Sequence, residues 1–310
     1  MSLLVLWPTH SGESIDPVGA HNCRNMVRLG LHVSVAGGVD RAVSRAREKG
    51  CDAFQIFSSN PRKWFTKPIP DESAKRFVSL QKQLGLAPAV DHMPYLPNLA
   101  SANEEVYAKS VQSLAKELER CRVLGIPYLV THLGSHMGAG RESGLFRIAG
   151  ALQAVFSETK GDTILLLENS AGGKSRMGST FSDIAAVLES SPDDCHRLGV
   201  CLDTCHLHAA GYDLRTSSAL QATLDQFDDC IGLQRLRLIH LNDCRGAVGS
   251  HLDRHEHIGM GQIGEAGFRV ILGHPDLADL AMILETPADS RRDDKGNLQA
   301  ARHLSAVSQG

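Results

Sequence analysis

Eight short apolar runs recur along this chain at the spacing of one strand plus one helix, and nearly all end on a side chain able to bind a metal. In order, the ends are His32 in LGLHVS, Ser58 after AFQIF, His92 in AVDHM and His132 in YLVTHLGS. Then come Glu168 in TILLLENS, Asp203 and His206 in LGVCLDTCH, His240 in LRLIHLND and Glu285 in LAMILETP. Continuous Leu-, Val- and Ile-rich strands separated by helices indicate a parallel sheet covered on both faces. Eight such units predict an α/β fold closed into a single (β/α)8 TIM barrel, with its active site at the C-terminal ends of the strands. An open dinucleotide-binding sheet fits less well, because SVAGGVD after the first run is not a GxGxxG turn.

The intervening segments carry helical periodicity. Val39, Ala42, Val43 and Ala46 form one stripe that stops at Gly50. Ser101 followed by Glu104 reads as a capping box, opening a helix through Val111, Leu114, Ala115, Leu118 and Cys121 to Gly125. Similar stripes fill 71–84, 144–157, 181–190 and 217–234. The barrel is therefore expected to span residues 29–310. Residues 1–28 scatter Gly, Pro, Ser and His without period, and are expected to be a disordered extension that a later start codon would remove.

Of the 310 residues, 42% are hydrophobic and 22% charged, enough for a large core under a solvated surface. No stretch approaches the roughly 20 apolar residues of a membrane helix. The eight cysteines contain no CxxC pair and read as reduced thiols of a cytoplasmic protein. Nothing calls for oligomerisation, and a monomer is expected. The formal net charge of −3 argues at first against a nucleic-acid partner, yet three bound dications would reverse its sign.

Nine candidate ligands gather at the predicted C-terminal rim: His92, His132, Glu168, Asp203, His206, His240, Asp253, His255 and Glu285. A single buried imidazole or carboxylate needs only a hydrogen-bond partner. A whole set of them in one low-dielectric place is costly unless cations sit among them. A catalytic zinc takes about three protein ligands, so nine fit two or three metals, especially if one carboxylate bridges. Five imidazoles with four carboxylates suit zinc best, with manganese or iron as substitutes.

The motifs HVSVAGG (32–38), SSNPRKW (58–64), DHMPYLPNLAS (91–101), THLGSH (131–136), LLENSAG (166–172), VCLDTCHLHAAGYD (200–213), HLND (240–243), DRHEHIGMGQIG (253–264) and ILET (283–286) together resemble the endonuclease IV family of apurinic/apyrimidinic (AP) endonucleases. The resemblance covers about Leu29 to Leu304. It implies a xylose-isomerase-like barrel and three zinc ions per chain. His92, His132 and Glu168 would hold the first, and a bridging Glu168 with Asp203, His240 and Glu285 the second. His206, Asp253 and His255 would hold the third, and Glu168 and Glu285 would be the catalytic carboxylates. It further implies a deoxyribonuclease IV-type hydrolase of base excision repair, acting on double-stranded DNA. Cleavage 5′ to an abasic site would leave a 3′-hydroxyl and a 5′-deoxyribose phosphate, and blocked 3′ ends would also be trimmed.

Arg62, Tyr95 and Leu96 match family positions that enter the duplex and fill the gap left by the missing base. Lys63, Lys67, Lys174 and Arg245 are weaker candidates for phosphate contact, and His32 for orienting a ligand. His136, His251 and His257 read as loop residues. The chain departs from the family at Pro97, at His208, where an aromatic residue is common, and at Gly173–Lys174. An alternative reading is a metal-dependent sugar isomerase or epimerase on a similar barrel, which needs one or two metals and no third site. A non-catalytic damage-binding protein is a further alternative, and the full ligand set speaks against it.

Overall fold

The apolar runs close into a cylinder. In the computed structural model, which describes residues 27–191 and 195–307, they form β1 (Arg28–His32), β2 (Ala53–Ile56), β3 (Ala89–His92), β4 (Tyr128–His132), β5 (Ile164–Glu168), β6 (Leu198–Asp203) and β7 (Leu236–His240). A two-stranded ribbon, β8 (Asp243–Cys244) with β9 (His255–Glu256), precedes the last barrel strand, β10 (Ala281–Leu284). The order around the barrel is β1-β10-β7-β6-β5-β4-β3-β2, parallel throughout, with β1 also pairing with β2. The helices are α1 (Val39–Lys49), α2 (Asp71–Leu84), α3 (Glu104–Leu124), α4 (Arg141–Glu158), α5 (Phe181–Glu189), α6 (Thr204–Ala210), α7 (Ser217–Cys230), α8 (Gly264–Gly273) and α9 (Asp294–Val307).

Side chains alternate across each strand, so every strand feeds two cores. One face supplies Ala53, Val90, Val130, Leu166, Cys201, Leu238, Ala281 and Ile283, a small apolar plug inside the cylinder. The other face, with residues such as Leu129, Leu165 and Leu167, joins the larger core beneath the helices. Gly30 belongs to the plug and must be glycine, since a Cβ there would lie 2.1 Å from the Ala53 carbonyl oxygen and 2.8 Å from Ile283 Cδ1.

Local expectations hold with adjustments. The α1 stripe is buried and Gly50 caps the helix in the left-handed conformation, as its sequence implies. Helix α3 is not opened by a Ser101–Glu104 capping box. Ser101 Oγ instead accepts from Asn103 N at 3.1 Å, and Asn103 becomes the cap, its Oδ1 accepting from Val106 N at 3.0 Å. Glu104 turns outward to Arg147 at 2.8 Å, so the reciprocal bond of a capping box is missing. The stripe over 217–234 breaks at Cys230, where Gly232 takes φ 95° and a separate 3-10 turn, Leu233–Arg235, follows. Arg28 already belongs to β1; the rest of the expected N-terminal extension, apart from Val27, lies outside the described residues. Among the described residues no helix is long and apolar enough to cross a membrane.

Candidate metal centre

The same alternation that builds the plug turns the polar strand ends inward. Two residues beyond Val90, Val130, Leu166, Cys201, Leu238 and Ile283 stand His92, His132, Glu168, Asp203, His240 and Glu285, on the same face of their strands. Strand β2 is the exception. Its inward positions are Ala53 and Gln55, while Ser58 donates to Glu117 Oε2 on α3 at 2.9 Å and stands apart from the cluster. His206 enters from the first turn of α6, whose cap is Asp203: Asp203 Oδ1 accepts from His206 N at 2.9 Å. Asp253 and His255 arrive on the excursion from β8 to β9. That excursion is rooted by the buried Asp243, whose carboxylate accepts from Gly261 N at 2.8 Å and Ile263 N at 3.0 Å.

The donor atoms fall into three groups, each within 4.8 Å: His92, His132 and Glu168; Glu168, Asp203, His240 and Glu285; and Asp203, His206 and His255. Glu168 is common to the first two. Asp253 lies outside the third at that spacing, though its Oδ1 is 3.2 Å from His206 Nε2 and its Oδ2 accepts from Arg176 Nη1 at 3.0 Å.

Ring orientation tests whether such a pool fits metal. A metal-binding imidazole usually donates its far N–H to a carbonyl or carboxylate, leaving the near nitrogen as the ligand. His92 Nδ1 meets Met93 O at 2.7 Å, His206 Nδ1 meets Asn169 O at 3.0 Å and His255 Nδ1 meets Glu285 O at 2.9 Å. Their Nε2 atoms then face carboxylates: Glu168 at 3.2 Å, Asp253 at 3.2 Å and Asp203 at 3.5 Å. His240 is reversed, with Nε2 on Gln55 Oε1 at 2.8 Å and Nδ1 on Glu168 Oε1 at 3.0 Å. Four lone pairs thus confront anionic oxygens, a repulsive arrangement unless protons or cations lie between them. The donor set fits a metal cluster.

The electrostatics agree. Burial alone would raise the Glu168 carboxyl, but the imidazoles of His132 and His240 drive it well below the usual carboxylate range. Burial likewise opposes ionisation of Glu285, and His240 and His32 overcome it. The hydrogen bond from His206 does most to lower Asp253. Conversely, burial would lower His206 and His240, yet the surrounding anions lift both well above the ordinary imidazole value.

Three buried amides hold this arrangement and were not among the predicted site residues. Gln55 Nε2 donates to Glu285 Oε1 at 2.6 Å and contacts His32 Nδ1 at 3.1 Å, while its oxygen takes His240. Asn169 Oδ1 accepts from Asp203 N at 2.7 Å. Asn242 donates to Asp203 Oδ2 at 2.7 Å and accepts from Glu285 N at 2.8 Å. A glutamine inside the otherwise apolar AFQI, and asparagines beside ligands in LLENS and HLND, were the available signals.

A family model described as xylose isomerase-like TIM barrel matches residues 43–307. A protein of Methanoculleus marisnigri named probable endonuclease 4 is 53% identical over 283 residues, covering 91% of this chain and 100% of that one. The chain belongs to the endonuclease IV family. The solved endonuclease IV of Thermus thermophilus superposes with a TM-score of 0.78 at 38% identity, covering 91% of this chain and 100% of that one. A D-tagatose 3-epimerase-like protein, with a TM-score of 0.66 at 19% identity over 91% of this chain and 97% of its own, shares the fold alone.

In this endonuclease IV chain the inferred duplex-entering residues lie beside the cluster. Tyr95 is 69% and Leu96 38% exposed, and both line a cavity of about 490 Å³ that reaches His132, His206 and Asp253. Tyr95 packs edge-on against Phe57 at 5.1 Å, and Phe57 in turn lies 4.4 Å from His32 and 5.5 Å from His92. Arg62 is exposed on the loop after β2, and Tyr95 N donates to Pro61 O of that loop at 3.3 Å. His136, His251 and His257 belong to none of the three donor groups; His257 is buried between Asp289 and Asn297. Arg245 is engaged by Glu256 at 3.2 Å. His208 is fully buried with neither ring nitrogen hydrogen-bonded within the protein, and burial pushes its imidazole below the ordinary value.

Proposed function

We propose that this chain is a zinc-dependent AP endonuclease of base excision repair. It would hydrolyse the phosphodiester 5′ to an abasic site, leave a 3′-hydroxyl and a 5′-deoxyribose phosphate, and trim blocked 3′ ends. What carries the reading is the set of four imidazoles with near nitrogens aimed at carboxylates and far nitrogens engaged elsewhere, in a chain 53% identical to a protein named probable endonuclease 4.

Three zinc ions would be held by His92, His132 and Glu168; by Glu168, Asp203, His240 and Glu285; and by His206, Asp253 and His255. The approach of His255 to Asp203 draws the last two groups together. When bound, the ions neutralise phosphate charge and lower the pKa of water towards about 7. The protein's part is to fix these donors. Gln55 keeps Glu285 and His240 in one orientation, and Asn169 and Asn242 hold the Asp203 backbone and carboxylate. No side-chain nucleophile is required.

Selectivity rests on the rim. An abasic nucleotide has lost its stacking and pairing, so extruding it costs less than flipping an intact one. Tyr95 and Leu96 present apolar surface to fill the gap, and Arg62 a cation for the groove. The reading includes a cytoplasmic monomer, and the free thiols of Cys51, Cys121, Cys201, Cys205, Cys230 and Cys244 accord with a reducing compartment. The test is incision of a duplex bearing one tetrahydrofuran abasic analogue, before and after prolonged chelation. Chelator-sensitive cutting 5′ to the analogue is expected; no cutting by zinc-loaded protein refutes the proposal.

A further inference from the structure

Between β2, β3 and α3 lies a buried polar group that the proposed chemistry does not use. Asp91 is wholly buried, and its Oδ1 accepts from two backbone amides, Ser58 N at 2.8 Å and His92 N at 3.0 Å. Ser58 Oγ donates to Glu117 Oε2 at 2.9 Å and accepts from Arg120 Nε at 2.9 Å. Arg120 also donates Nη2 to Ser58 O and Nη1 to Lys67 O at 3.1 Å. Two buried carboxylates and one guanidinium cost several kcal/mol per ion to desolvate, and apolar side chains would cover the sheet as well. The geometry says what the ions do instead. Arg120 grips both feet of the loop 58–67, whose turn carries Arg62 and whose Pro61 O accepts from Tyr95 N. One Asp91 oxygen then fastens the first foot of that loop to the backbone of His92.

We propose that Arg120, through Ser58 and Asp91, is a positioning residue that sets the distance between the duplex-entering side chains Arg62 and Tyr95 and the metal-binding end of β3. The inference rests on the AP endonuclease reading. It makes α3, which supplies none of the nine candidate donors, a determinant of discrimination between abasic and intact duplex.

The test uses the full zinc-loaded chain with Arg120→Gln, Arg120→Lys and Ser58→Ala. Steady-state incision of the tetrahydrofuran duplex, binding to that duplex and to its undamaged counterpart, and metal content are measured for each. For Arg120→Gln, KM for the abasic duplex is expected to rise about tenfold, with kcat and metal content within about twofold and undamaged binding little changed. Arg120→Lys, which cannot reach both loop feet, is expected to rescue only partly. In an Arg62→Ala background the Arg120→Gln effect is expected to shrink to about threefold, because one of the two residues being positioned is gone. Equal losses on abasic and undamaged duplex, full additivity with Arg62→Ala, or an unchanged KM would each overturn the proposal. If Arg120→Gln melts early, Ser58→Ala is judged instead, with about a threefold rise in KM expected and no rise overturning the proposal. Failure of the wild-type chain to cut removes the nuclease reading and this inference together, whereas normal wild-type cutting with unselective variants removes this inference alone.

Discussion

Replacing Gln55 by Leu would keep the apolar volume of β2 while deleting the one carboxamide that serves three site residues. Glu285 Oε1 would lose a donor at 2.6 Å, His240 Nε2 an acceptor at 2.8 Å and His32 Nδ1 a partner at 3.1 Å. Leaving a buried polar group without its partner costs about 1–3 kcal/mol, more where the group is charged. The three contacts share one amide and relax together, so the losses do not sum. A net of about 3 kcal/mol against the Glu285–His240 donor pair corresponds to more than about 100-fold in an equilibrium constant. That lies at the upper end of the 10- to 100-fold effects typical of residues that orient metal ligands. The expected result is selective. Chelator competition should release the metal held by His240 and Glu285 about 100-fold more readily, while the His206 group, which Gln55 does not touch, keeps its affinity. Metal content after graded chelation, followed by incision of the abasic duplex, measures both. Wild-type retention of all metals in Gln55→Leu would refute the role assigned to this amide, and uniform loss from every site would refute its selectivity.

Glu168→Ala removes oxygens that lie 3.0–3.3 Å from His240, His92 and His132. At about 4 kcal/mol per unit charge pair near 4 Å, incision should fall at least about 1,000-fold with fewer metals bound, and wild-type turnover would contradict a bridging role. Tyr95→Ala should weaken binding to the abasic duplex about tenfold, as expected for losing one stacking aromatic, and barely alter binding to intact duplex; equal losses would reject its role as a wedge. The anions around His206 and His240 lift both above the ordinary imidazole value, which favours protons on these rings in the metal-free chain. Zinc uptake at pH 7 should therefore release protons and weaken as pH falls from 8 to 6; calorimetry in buffers of different ionisation enthalpy checks this, and uptake without proton release would refute it. His208→Phe, which removes two buried ring nitrogens lacking protein partners, should raise Tm by about 2 °C or more, and a fall would show that the imidazole is engaged.

The barrel was readable because strand and helix periods alternate from Leu29 onward, and each strand's final inward position is set by counting in twos from its apolar residues. Counting alone misplaces Ser58, since β2 ends at Ile56 and the chain turns before Ser58 can face inward. The Ser101 cap failed for a different reason. A serine two residues before an asparagine can form its own turn, and the asparagine then takes over the cap. Gln55, Asn169 and Asn242 escaped because side-chain amides are not among the usual zinc ligands, so nothing in their chemistry marks them out in the sequence. Their role appears only when the ligand orientations are known.

Asp243 touches none of the nine donors, yet it governs where two of them can be. The stretch it anchors leaves the barrel after β7 and must fold back over a finished rim, with Gly261 so close that a Cβ would sit 2.4 Å from the Cys244 carbonyl oxygen. Asp253 and His255 are therefore carried on a returning flap, pinned by Asp243, by the β8–β9 ribbon and by the Arg245–Glu256 pair, whereas the strand-borne donors are cast into the wall. Loss of the Asp243 anchor would loosen two donors from a distance while leaving the strand-borne ones where they are.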